Sequence, residues 1–308
     1  MQYRRPPTRQ IDGILLLDKP QGITSNAALQ KIRTLYNADK AGHTGALDPL
    51  ATGLLPICLG EATKIAGLLL AERKAYETKV RLGIRTDSDD AEGAVLRTRE
   101  VPALTQADIE AVLQSFIGNI MQTPPIYSAL KRDGEALYAK ARRGEDVQIS
   151  ARPVEIFGIQ LPGYGADWLR LNVECGSGTY IRSLARDIGE MLGCGGHVET
   201  LRRLWVDPFR EPAMHTLEQL EQIATQGRDA LDAMLLPVEA GLVGYPTLEL
   251  DENTARRLAQ GQQPATPDPT ARGLHVAMNM QGRALGLVNV EDNGKLSVRR
   301  LFRWAAVT

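Results

Sequence analysis

The stretch Gly42-His43-Thr44-Gly45-Ala46-Leu47-Asp48-Pro49-Leu50-Ala51-Thr52-Gly53 decides how the chain is read, because it sets a lone carboxylate, Asp48, in an otherwise uncharged glycine-rich loop. Glycines at 42, 45 and 53 permit backbone angles closed to other residues and let a bulky ligand approach the main chain. Two readings are open. Either Asp48 is the reactive group of a site, or it caps a short helix that begins at Pro49 and continues into the apolar run Leu54 to Leu59.

Outward from this loop, Gly13 to Pro20 reads as a buried strand and Thr24 to Tyr36 as a helix capped by Thr24 or Ser25. Ala75 to Leu82 alternates as a strand with Tyr76 on its apolar face. Thr105 to Ile117 is an amphipathic helix. Val154 to Gln160 and Trp168 to Glu174 form a hairpin turning at Pro162-Gly163, and Thr179 to Leu192 is a helix that follows the turn Cys175-Gly176-Ser177-Gly178. Strands come in hairpin-like groups and not in βαβ alternation, which predicts an α+β fold with a mixed, largely antiparallel sheet. Neither GxGxxG nor GxxxxGK[ST] occurs, so no dinucleotide or P-loop site is predicted.

The segment from Gln122 to about Arg152 differs in character. Thr123-Pro124-Pro125 opens it, Lys131, Arg132, Lys140, Arg142 and Arg143 crowd into it, and Tyr127 and Tyr138 interleave with the charge. Such a composition suits a solvated face or a flap that touches nucleic acid. A linker is expected near Leu242 to Pro246, then alternating strands at Leu274 to Met278, Ala284 to Val290 and Leu296 to Phe302. The division is therefore a main domain over 10–245, with the flap inserted at 122–152, and a small β-rich domain over 246–308.

With 308 residues, 43% hydrophobic and 24% charged, the chain has the composition of a soluble globular protein. Residues 1–7 show no apolar signal-peptide core, and Leu68-Leu69-Leu70 is far too short for a bilayer, so a cytoplasmic protein without membrane contact is expected. Cys58, Cys175 and Cys194 make an odd count that suits reduced thiols. Cys194-Gly195-Gly196-His197 offers half of a metal site, one close pair of ligands with no second pair, so no metal is expected. The net charge of −1 leaves any nucleic acid to be held by local basic patches.

Gly42 to Lys64 resembles the catalytic signature of the bacterial tRNA pseudouridine-55 synthases, which isomerise the T-loop uridine of tRNA. The resemblance extends through Asp18 to Ser25, Tyr76, Arg81 to Gly83, Thr86 to Gly93, Pro125 to Lys131, Arg152-Pro153, Gly178 to Leu184 and Leu201-Arg202-Arg203, covering about residues 11 to 210. The last domain is similar, more weakly, to the small RNA-binding domain called PUA. The resemblance implies that Asp48 is the nucleophile, with Arg182 pairing to it and lowering its pKa. It places Tyr76 against the target uracil, where it is also a candidate proton acceptor, and Tyr180 and Leu201 in the same pocket. His43 would fill the stack vacated by a flipped base. Arg142, Arg143, Arg202 and Arg203, with tail arginines Arg299, Arg300 and Arg303, would contact RNA phosphates. Lys19 and Pro20 are structural supports, and no cofactor is implied. The implied partner is the T-arm of tRNA, bound by a monomer. Ala46 stands where relatives can carry Thr, a change too small to disturb Asp48.

Two other classes compete. A glycoside hydrolase needs a second acid about 5–9.5 Å from the first, and the loop holds only Asp48. A non-catalytic RNA-binding module would need only the basic insert and tail.

Overall fold

A computed structural model of the chain describes residues 8–70, 73–127 and 149–306, together with the backbone of 131–132 and 135–136. Its centre is a mixed sheet. In chain order the strands are β1 (Gly13–Lys19), β2 (Ala41–His43), β3 (Thr52–Leu59), β4 (Lys74–Leu82), β5 (Ile84–Thr86), β6 (Val95–Thr98), β7 (Gly118–Gln122), β8 (Lys131–Arg132), β9 (Glu135–Ala136), β10 (Arg152–Gly165), β11 (Trp168–Cys175) and β12 (Gly196–Val206). The large sheet runs β1-β3-β12-β4-β11-β10-β7, with β2 also on β3. All its pairs are antiparallel except β12 with β3. Helices α1 (Ser25–Leu35), α2 (Ala66–Leu70), α3 (Gln106–Gln114), α4 (Ile181–Met191), α5 (Leu217–Ala224) and α6 (Arg228–Asp232) accompany it. The expected α+β class with a largely antiparallel sheet is what the chain adopts.

Local chemistry explains the starts of the helices. The Thr24 hydroxyl accepts from the Ala27 amide to open α1, and Thr105 and Asp108 cap α3 reciprocally. Two expectations fail. Residues 54–59 are not helical: they belong to β3, buried along nearly its whole length, so Asp48 caps no helix. Apolar side chains line both faces, which is the pattern of a buried strand, and Pro56, with no amide to donate, accepts from the Thr44 amide through its carbonyl. The 154–174 hairpin turns at Ala166-Asp167 and not at Pro162-Gly163, which instead sit at a register shift inside the longer β10.

A second, four-stranded sheet comprises β13 (Thr247–Leu250), β14 (Gly273–Asn279), β15 (Ala284–Val290) and β16 (Leu296–Leu301), with helix α7 (Glu252–Ala259) between its first two strands. It is joined to the body by more than the chain. Val276, Leu287 and Phe302 share one apolar cluster with Ile14, Leu16, Ile65 and Val206. Buried Glu61 accepts from Lys64 and from the Arg303 amide, while the Arg303 guanidinium bonds Asp12 at 2.8 Å. Arg303 thus ties the small sheet to the body by an ion pair to Asp12, with 43% of its side chain still exposed. Among the described residues no helix is long and apolar enough to cross a membrane.

Candidate active site

The Asp48 loop is pinned from both sides. Ser25 Oγ accepts from the Leu47 amide at 2.7 Å and donates to the Leu47 carbonyl at 2.9 Å. The Gly22 amide donates to Pro49 O, and Lys19 Nζ donates to Pro20 O and Ala51 O, both at 2.8 Å. Lys19 thus ties the Pro20 carbonyl to that of Ala51 at the end of the loop. Gly53, at φ +97°, lies against the Arg203 backbone so closely that a Cβ there would collide with its carbonyl oxygen.

Lys19 carries a consequence for stability. Its ammonium is fully buried, and burial pushes its pKa from 10.5 down to about 8 against the attraction of Asp48. Between these values the unfolded chain binds the proton and the folded chain does not, so this group adds stability as pH rises from 8 toward 10.5, by about 3 kcal/mol at most. Lys19→Met removes the term. Urea unfolding of both proteins should show the wild type gaining on the variant across that window, and a pH-independent difference would refute the buried charge.

Asp48 meets Arg182 from α4. Arg182 Nε lies 2.9 Å from Asp48 Oδ2 and its terminal nitrogen donates to Oδ1 at 3.2 Å. The guanidinium also donates to Ser88 O and Tyr127 O, each at 2.9 Å, and reaches Asp90 at 3.5 Å. With 5% of its side chain exposed, Arg182 is held for the site and not for solvent. Asp48 keeps 40% of its side chain open, yet the surrounding walls raise its carboxyl above the ordinary value; Arg182 opposes this and Asp90 reinforces it. The expected net lowering by Arg182 is thereby corrected: the arginine limits the rise and does not reverse it.

A cavity of about 310 Å³ opens beside this pair, lined by Asp48, Tyr76, Tyr180, Arg182, Leu201 and Arg203. Tyr76 is buried and burial pushes its phenol upward. Tyr180 is set at the start of α4 by buried Gln122, which accepts from its amide at 2.8 Å and donates to its carbonyl at 3.1 Å, and the Arg152 guanidinium lies 5.1 Å over its ring. His43 faces a second cavity of about 660 Å³ that shares Asp48 and Arg182 as its wall. Burial and the Arg203 charge both lower the His43 pKa, which favours a neutral ring suited to stacking.

The expected phosphate contacts divide. Arg142 and Arg143 lie outside the described residues. Arg202 stays at the surface, bonded to Asp18 at 2.9 and 2.7 Å. Arg203 is 1% exposed and its guanidinium donates to Leu54 O and Gly45 O, so it is a pocket residue and not a phosphate contact. The period of β12 carries this signal: Leu201 and Arg203 share one face and Arg202 points to the other. Asp90, engaged with Arg182, was likewise present in the quoted Thr86 to Gly93 motif without an assigned role.

A cavity that sets an ion-paired aspartate of raised pKa beside two tyrosines has the make-up of an active site. The chain belongs to the TruB family of pseudouridylate synthases and is an isomerase. The TruB family pseudouridylate synthase N-terminal domain matches residues 33–181, and the tRNA pseudouridylate synthase B C-terminal domain matches 182–243. The chain is 55% identical over 295 residues to tRNA pseudouridine synthase B of Xanthomonas axonopodis pv. citri (strain 306), covering 96% of this chain and 95% of that one. It is 54% identical over 302 residues to tRNA pseudouridine synthase B of Xylella fastidiosa (strain Temecula1), covering 98% and 99%. Among solved structures, one in a Cbf5-Nop10-Gar1 complex superposes with a TM-score of 0.74 at 25% identity, covering 94% of this chain and 84% of that one.

Proposed function

We propose that this protein converts the T-loop uridine of tRNA, position 55, to pseudouridine, acting in the cytoplasm as a monomer without cofactor. The observation that carries this reading is the Asp48–Arg182 pair at the wall of a cavity shared with Tyr76, Tyr180 and Leu201. The target base has to leave its stack to enter so enclosed a site, at a cost of a few kcal/mol, and neutral His43 in the neighbouring cavity is suited to occupy the gap.

Once the base is bound, the Asp48 carboxylate attacks the sugar-base unit and the glycosidic C1′–N1 bond breaks with its electron pair left on uracil. The base rotates against the Tyr76 ring and rejoins the sugar through C5. A proton must then leave C5 and one must be held at N1, so the isomerisation is neutral overall and needs no second substrate. Arg202, Arg142 and Arg143 serve as phosphate contacts, and the small domain, with exposed Arg299 and Arg300, supplies a second RNA contact of PUA type.

The test is release of tritium from C5-labelled uridine in a T-arm stem-loop transcript. One tritium per RNA, from the T-loop uridine, is expected. No release, or release only from uridines elsewhere in tRNA, would overturn the assignment.

A further inference from the structure

Arg203 of β12 stands directly opposite Tyr76 of β4, and both side chains line the same cavity. Arg203 is almost fully buried, yet the partners of its guanidinium are the neutral carbonyls of Leu54 and Gly45, at 2.7 and 3.1 Å. Among the described residues no Asp or Glu forms an ion pair with it. Burying a cation without a carboxylate costs several kcal/mol, a cost that a purely structural brace would avoid with a neutral side chain. The group lies where negative charge has to appear. Gly45 O ties it to the loop that carries Asp48, and its charge favours the ionised form of the Tyr76 phenol.

We propose that Arg203 is the positioning residue for Tyr76, aiming the phenol at the detached base and carrying the counter-charge of its anion, so that Tyr76 both gives and takes a proton within one turnover. The inference deepens the pseudouridine synthase reading and rests on it. The chemistry balances as follows. Cleavage leaves the C1′–N1 electron pair on uracil; the Tyr76 O–H proton passes to N1 and leaves a phenolate facing Arg203. After C5 bonds to C1′, the C5–H bond breaks, its proton returns to the phenolate oxygen, and its electron pair restores the C5–C6 double bond. Tyr76 ends as it began, with no proton gained or lost.

Burial and two neighbouring groups work against ionisation of Tyr76. Cys175 on β11 and Asp48 on the loop both press its phenol upward, as burial does, while Lys74 and Arg182 border the cavity and Tyr180 faces it. Arg203 is the charge that opposes them at the phenol itself, and the same field lowers His43 and Lys19.

The experiment is single-turnover kinetics on T-arm RNA carrying either hydrogen or deuterium at uridine C5. Arg203→Gln should slow turnover about 10²-fold, the usual effect of removing one charge-stabilising donor. The deuterium isotope effect should fall toward unity, because forming the phenolate during proton transfer to N1 becomes rate-limiting while the more basic phenolate takes the C5 proton faster. Arg203→Lys keeps a cation and should recover part of the rate. In a Tyr76→Phe background Arg203→Gln should add less than about 2-fold, since the two residues act as one unit. An unchanged isotope effect, with losses that multiply in the double variant, would overturn the proposal and leave Arg203 as a brace for Leu54 and Gly45. If Arg203→Gln does not fold, Arg203→Lys carries both readouts. Failure of the underlying reading shows differently, as a wild type that turns over neither RNA.

Discussion

Asp48→Asn is expected to abolish turnover, by on the order of 10⁴-fold or more, while the protein keeps its fold and its affinity for T-arm RNA. The size follows from the site: the cavity beside Arg182 is walled by Tyr76, Tyr180, Leu201, Arg182 and Arg203, and Asp48 is the carboxylate in that wall. The fold should tolerate the change because burial already raises the Asp48 carboxyl, so replacing it with a neutral amide of the same shape removes a desolvation cost. The amide oxygen can still accept from Arg182, whose other bonds to Ser88 O and Tyr127 O persist. Binding is read by filter retention of labelled RNA and turnover by C5 tritium release. Residual activity within about 10²-fold of wild type would remove Asp48 from the nucleophile's role.

What the sequence could and could not reveal follows from the range of the interactions involved. Strand alternation and Thr caps are local, so β1, α1, β4 and α3 fall within a residue or two of their expected ends at several termini. Pro162-Gly163 misled because a turn dipeptide and a bulge share the same chemistry, and only the length of the partner strand distinguishes them. Residues 54–59 read as the continuation of a helix, and they form a strand instead, because a short apolar run has no period of its own to tell the two apart. Arg203 was misplaced by its neighbour Arg202, since a pair of arginines suggests a surface patch, whereas strand period sends one of them inward. The small sheet was legible as a separate unit, but its attachment was not. The cluster joining Val276 and Phe302 to Ile14 and Ile65 spans most of the chain length, and no local pattern reports it. Cutting the chain at 246 would therefore expose core.

Arg182→Lys should cost about 10²–10³-fold in turnover and leave RNA affinity within about 2-fold. Arg182 is buried under the pocket with its nitrogens divided among Asp48, Asp90, Ser88 O and Tyr127 O, so none of its capacity is turned outward to phosphate. A lysine ammonium is a point donor and cannot hold both Asp48 oxygens while reaching carbonyls on two other segments. The pH dependence should report the same loss. Arg182 opposes the rise that burial imposes on Asp48, so weakening it moves the carboxyl still higher. Activity requires the ionised form; the acidic limb of kcat/KM should therefore shift to higher pH in the variant, and raising the pH should recover part of the deficit. Equal losses in affinity and turnover with an unmoved acidic limb would instead make Arg182 an RNA contact whose pairing with Asp48 is incidental. Arg182→Gln sharpens the comparison, because it removes the charge and should shift the limb further than Lys does.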